Sequence, residues 1–176
     1  MDAELHRDPI PQAIAVPPDG GDHLTLGALP FQLMVNQEWV GGAYTLAKQP
    51  IAPRLLVAPH VHRHQDQVAF VTRGTVGFRV GEEEHVVEAG GLSFRNRGEP
   101  HALWNPTDEP AEILEITSPG DFERYFRRIG ALSAAGEVTA DAVQEVADEY
   151  GLSFFDDWNK DLMRRYGVSL TGGFWD

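Results

Sequence analysis

Pro59-His60-Val61-His62-Arg63-His64-Gln65-Asp66-Gln67, followed after six intervening residues by Gly74, is the stretch on which the reading of this chain turns. Residues two apart on a β-strand point to the same face, so an extended segment aims His60 and His62 at one point. A second block follows, with Gly90, Asn96, Gly98, His101 and Asn105 separated by five, one, two and three residues. His101 is then the more distant third ligand that closes a mononuclear site, since neutral imidazole suits Zn, Cu, Fe and Ni. Gln67 is a candidate fourth ligand through its amide oxygen. Taken alone, a run of alternating histidines also reads as a solvated loop or as satisfied structural histidines; the second block in the same order argues for the metal.

The two blocks resemble the two cupin motifs, HxHxxxxE followed by a glycine and G(x5)PxG(xx)H(xxx)N. Gln67 stands where the first motif has glutamate and Asn96 where the second has proline. Pairing His62 with His64 instead would misplace Gln67 and Gly74 against the motif. The resemblance implies an all-β jelly-roll β-barrel that holds one divalent metal ion on His60, His62, Gln67 and His101.

Gly42-Ala43-Tyr44-Thr45-Leu46 before the motifs and Ser118-Pro119-Gly120-Asp121-Phe122-Glu123-Arg124-Tyr125-Phe126 after them make residues 40–130 similar to the single-cupin branch of quercetin 2,3-dioxygenase (quercetinase)-like proteins. That resemblance implies a metal-dependent dioxygenase of small aromatic or enolic, flavonol- or polyketide-like substrates, with Ni, Co, Mn or Fe as the ion and Zn or Cu not excluded by the ligands. In quercetinases the ligand glutamate is also the base, whereas an amide has no titratable site near neutral pH. The proton must then go to His64, to Asp66 or to a metal-bound hydroxide, or the substrate must arrive ionised. Gln67, His64 and Asp66 are therefore the candidate catalytic residues. A neutral ligand set also leaves the full charge on the ion, which favours Lewis-acid chemistry. A lyase, isomerase or cyclase without dioxygen is the alternative enzyme class, and a non-catalytic binding barrel is a third.

The 176 residues suit one domain with a helical appendage. A formal charge of −13 argues against binding nucleic acid or an anionic membrane surface. The absence of cysteine removes disulfides, thiolate ligands and thiol nucleophiles together. The amino terminus MDAELHRDPIPQ has acids and proline where a secretory signal needs a basic segment and an apolar run. These features lead us to expect a cytoplasmic protein.

Residues 1–22, rich in proline, are expected to form an arm that pads the barrel or joins a partner subunit, giving a homodimer through the arm and an open sheet edge. Residues 23–118 form the barrel, as short alternating segments punctuated at Gly41-Gly42, Gly74, Gly81, Gly90-Gly91 and Asn105-Pro106. Residues 119–176 turn to helical periodicity. A capping box at Ser118-Pro119-Gly120-Asp121 opens a helix stopped by Gly130, Thr139 caps a second that ends at Tyr150-Gly151, and a third runs from Asp156 to Tyr166 before Gly167. Aromatics of this extension, including Phe122, Tyr125 and Phe126, are expected to cover the outside of the sheet. Phe70, Phe78, Phe94 and Trp104 are candidate walls of the substrate pocket by strand parity. Arg73, Arg79, Arg95 and Arg97 are candidates to meet an anionic substrate, although arginines at strand ends are usually solvated.

Overall fold

The structure is a computed structural model that describes residues 15–170. Ten strands come first: β1 (Asp22–Leu26), β2 (Leu29–Val35), β3 (Thr45–Ile51), β4 (Leu55–His62), β5 (Asp66–Arg73), β6 (Thr75–Val80), β7 (Glu83–Glu88), β8 (Leu92–Arg95), β9 (His101–Trp104) and β10 (Ala111–Ser118). Helices α1 (Glu123–Ala135) and α2 (Ala140–Glu149), strand β11 (Leu152–Phe154), helix α3 (Asn159–Tyr166) and strand β12 (Ser169–Leu170) follow. Two sheets result, ordered β1-β2-β3-β10-β5-β8 and β11-β4-β9-β6-β7, with β12 parallel to β4. The chain passes back and forth between them, the all-β jelly roll expected from the alternation.

Alternation decides what faces inward. On β10, Ala111, Ile113, Glu115 and Thr117 are buried while Glu112, Leu114 and Ile116 face out. Ile51, Ala69, Val71, Val76, Phe78, Leu103, Ala111 and Ile113 make the apolar core between the sheets. Burying each of the larger of these side chains contributes roughly 1.5–3 kcal/mol. A second cluster joins Phe31 and Leu33 of β2 to Phe122, Phe126 and Ile129 and to Val143 of α2. A third lies on the far side of the second sheet, where Leu162, Val168, Trp158 and Tyr166 cover Leu56, Ala102 and Trp104. Gly77 is needed there: a Cβ on it would sit 2.2 Å from the Trp104 ring.

The extension departs from expectation at its start. Pro119 is extended, with ψ 162°, after a cis Ser118–Pro119 bond, and Gly120–Phe122 form a 3-10 turn that leads into α1 with no side-chain cap. Ser118 Oγ donates instead to the Ala43 carbonyl, and Gly120 N–H to that of Gly42, so this segment is tied to the loop before β3. Gly130 does not stop α1, which runs on to Gly136 at φ 70°. Gly130 is where Leu24 of β1 packs close to the helix. Thr139 does cap α2, accepting from Ala142 N–H at 3.2 Å, and Gly167 ends α3 with φ 61°.

Of the expected arm, residues 1–14 lie outside the described residues. The turn at Pro17–Gly20 pads the barrel, since the Pro18 carbonyl accepts from Lys48 Nζ and Gln32 Nε2. The outer edge of β4 is covered within the chain by β11 and β12. No described helix is long and apolar enough to cross a membrane.

Candidate metal centre

Proline sets the local geometry of β4. Val57 pairs with Leu103 and His60 with His101, so two residues of β4, Ala58 and Pro59, oppose the single Ala102. Pro59 has no N–H to give the ladder, and a bulge at that point re-aims the histidines that follow. His60 and His62 then share the inner face with His101 of β9. The turn before His101 is fastened to the same strand, because Gly98, at φ 80°, donates its N–H to the His62 carbonyl at 2.7 Å.

One ligand nitrogen from each of His60, His62 and His101 lies within 4.8 Å of the others. The imidazole centroids are 4.4 Å apart for His60 and His101, 5.1 Å for His60 and His62, and 5.6 Å for His62 and His101. His60 Nδ1 meets the Ala58 carbonyl at 2.7 Å and His101 Nδ1 that of Glu99 at 2.9 Å. A carbonyl only accepts, so both rings carry their proton on Nδ1 and present the Nε2 lone pair. Among the described residues His101 Nε2 is buried with no hydrogen-bond partner. An unsatisfied buried acceptor costs about 1–3 kcal/mol, which a cation at the focus of the three rings would remove. The donor set fits one divalent ion.

Burial holds the three imidazoles below the ordinary histidine value. His60 goes down to about 4, opposed by its bond to Ala58 and aided by the charge of Arg95. His62 and His101 lie well below 6.5 through burial first, then through His60; the Gln65 side chain partly offsets the shift at His62. Between pH 6.5 and about 4 the unfolded chain therefore binds protons that the folded, metal-free protein refuses, and stability falls as pH falls. His60 alone accounts for roughly 3 kcal/mol across that window. Urea unfolding of the metal-free protein at pH 7, 5.5 and 4.5 should show midpoints that drop steadily; a flat series would contradict the buried neutral triad.

Gln67 of β5 faces the triad from the opposite sheet. Its Nε2 donates to Glu115 Oε1 at 3.0 Å and lies 3.4 Å from Thr117 Oγ1. A carboxylate cannot donate, so Glu115 fixes which end of the amide is which. Gln67 Oε1 is left buried and unpartnered, as a fourth ligand must be. Glu115 Oε2 takes Nη2 of Arg95 at 2.7 Å, and both side chains are buried. This Gln67-Glu115-Arg95 chain was not foreseen. Its signal was a charged residue at an inward position on each of two strands, Arg95 on β8 and Glu115 on β10.

Residues 49–117 match the cupin domain family. The barrel has the cupin fold. No curated protein matches the chain. Among solved structures, a predicted oxalate decarboxylase from Thermotoga maritima is similar at TM-score 0.51 and 17% identity, over 56% of this chain and 90% of that one. KdgF from a Halomonas species is similar at TM-score 0.52 and 14% identity, over 58% and 92%. These likenesses establish the fold.

Beside the three histidines the barrel holds a cavity of about 100 Å³. His60, His62, Gln67, Arg95, Glu115 and Gln49 supply its polar lining, and the apolar wall includes Phe122, Tyr125, Phe126, Leu152 and Phe154. Phe122 of the 3-10 turn and Tyr125 and Phe126 of α1 therefore close the site and do not cover the outside of a sheet; the Phe122 and His62 rings are 4.4 Å apart. Burial pushes the Tyr125 phenol up. Leu152 pairs with His62 and Phe154 with His60 across β11 and β4, so the tail supplies part of the wall.

None of the four expected wall residues lines this cavity. Phe70 and Phe94 are 41% and 53% exposed on the outer face of the first sheet, because Gln67 and Arg95 fix the opposite parity. Phe78 is in the core, and Trp104 points away under Tyr166. His64 is exposed in the turn after β4. Asp66 is held by Arg97 in a two-pronged pair at 2.7 and 3.0 Å and accepts its main-chain N–H as well. Those bonds to Arg97 bring its carboxyl down to about 2. Neither residue lines the cavity as a base must. Asn105, the last residue of the second motif, is a loop clamp, donating to the Ile51 and Glu109 carbonyls.

Proposed function

We propose that this cupin is a metal-dependent enzyme that turns over a small aromatic or enolic substrate, with dioxygen as second substrate in a quercetinase-like reaction. The observation that carries the reading is the convergence of three imidazoles and one free amide oxygen, of which His60, His62 and Gln67 line a cavity with a largely apolar wall. A bound divalent ion would supply Lewis acidity, drawing charge from an enol oxygen and easing its ionisation. His60, His62, His101 and Gln67 would hold it. Phe122, Phe126, Leu152 and Phe154 exclude water and seat the apolar body of the substrate. A cavity of about 100 Å³ is below the roughly 300–1,000 Å³ of sites for drug-sized ligands. That favours a compact enol over a three-ring flavonol.

A non-oxidative lyase, isomerase or cyclase is the second reading. Glu115 locks Gln67 as a neutral donor, which preserves the charge of the ion and suits Lewis-acid chemistry without dioxygen. Metal analysis of the purified protein, joined to an oxygen-electrode screen of small enols, is the test. One divalent ion per chain with substrate-dependent oxygen uptake is expected. Turnover without uptake selects the second reading, and absence of metal removes both.

A further inference from the structure

We propose that the substrate enters this site already ionised, as a small carboxylate or enolate with an apolar body, and that the guanidinium of Arg95 receives its charged oxygen. The inference rests on the metalloenzyme reading above and narrows its substrate class. Arg95 is 1% exposed and lines the cavity with His60, His62 and Gln67. Among the described residues the one hydrogen bond of its guanidinium runs from Nη2 to Glu115, and its Nε–H is buried with no acceptor. A guanidinium carries five N–H donors in a planar fork suited to a carboxylate, and most of this fork is unspent. One face of it lies over the Phe78 ring, with 5.8 Å from Cζ to the centroid.

Charge points the same way. Arg95 and Glu115 cancel, the three imidazoles are neutral and Gln67 has no charge, so the protein offers no anion to a divalent ion. An anionic substrate supplies it. A substrate that arrives ionised also needs no proton acceptor, which Gln67 cannot be and which neither His64 nor Asp66 is placed to be. The other arginines considered are placed elsewhere: Arg97 is paired with Asp66, Arg79 with Glu82 and Glu84, and Arg73 is exposed.

The test uses phenylpyruvate and its neutral counterpart phenylacetone as probes, with calorimetric binding to metal-free and Ni(II)-loaded protein. In the metal-free protein, phenylpyruvate should bind at least tenfold more tightly than phenylacetone. In Arg95→Met/Glu115→Gln, which removes both buried charges together, that preference should fall to within about twofold. Glu115→Gln alone, which removes the negative charge that neutralises Arg95 while leaving an amide oxygen to accept from it, should increase it. Equal affinities in the parent, a preference kept by the double variant, or a decrease in Glu115→Gln would each overturn the anchor. Nickel loading is read on the same samples. Loading without charge preference removes the anchor and leaves the metalloenzyme; charge preference without loading does the reverse.

Discussion

Gln67→Glu is expected to lower both stability and turnover, although it restores the residue that the first cupin motif usually carries. Gln67 Nε2 donates to Glu115 Oε1 at 3.0 Å in a buried setting. A glutamate there faces acceptor with acceptor, and two carboxylates at that separation cannot both stay ionised without a large penalty. An uncompensated buried charge costs roughly 3–5 kcal/mol, so the unfolding midpoint at pH 7 should drop clearly. Metal content per chain and turnover of the best substrate should be measured beside it. Gln67→Glu/Glu115→Gln, which exchanges amide and carboxylate, should recover most of the lost stability. The opposite result is equally sharp: if the chain is a dioxygenase that merely lacks its base, Gln67→Glu raises turnover by the 10²–10⁴ that general-base catalysis typically contributes. A faster enzyme at equal metal loading would refute the role given to Glu115.

His101→Ala should empty the site and leave the barrel standing. His101 contributes a buried nitrogen with no partner among the described residues, and losing a direct ligand should exceed the 10–100-fold affinity loss seen when outer partners of ligands are removed. The fold does not rest on it, because the three apolar clusters are built from other residues. Metal analysis after dialysis should find the ion lost while the circular dichroism spectrum is unchanged. The variant should also lose less stability between pH 7 and 4.5 than its metal-free parent, since one of the three depressed imidazoles is gone. Metal retained at the parental stoichiometry would remove His101 from the ligand set.

The spacing of the two histidine blocks carried the triad because it depends on strand period and turn length, both local. Parity of the wall was legible in principle: Gln67 facing inward commits Ala69 and Val71 inward and Phe70 outward, and Arg95 commits Phe94 outward. Strand parity in the wrong register put Phe70 and Phe94 inside, whereas Phe78 faces inward but fills the core and Trp104 lies under Tyr166. Glu115 could be found from its position between Ile113 and Thr117 on an inward row. What sequence could not supply was its partner, since the pairing of Gln67 with Thr117 and with Arg95 joins three strands distant in the chain. The start of α1 was misread because Ser118 and Gly120 are spent on the loop at Gly42-Ala43, a tertiary contact that outweighs the local capping pattern.

Strand β11 has a consequence for the order of events during synthesis. Leu152 meets His62 across the sheet, yet the tail that bears it leaves the ribosome long after every imidazole. Domains tend to fold from the amino terminus as they emerge, so a nascent chain displayed as far as Ser118 holds the whole triad with one flank open to solvent. The aromatic wall is laid down last, and it is the finished chain, not the histidine cluster, that turns an accessible triad into an enclosed cavity.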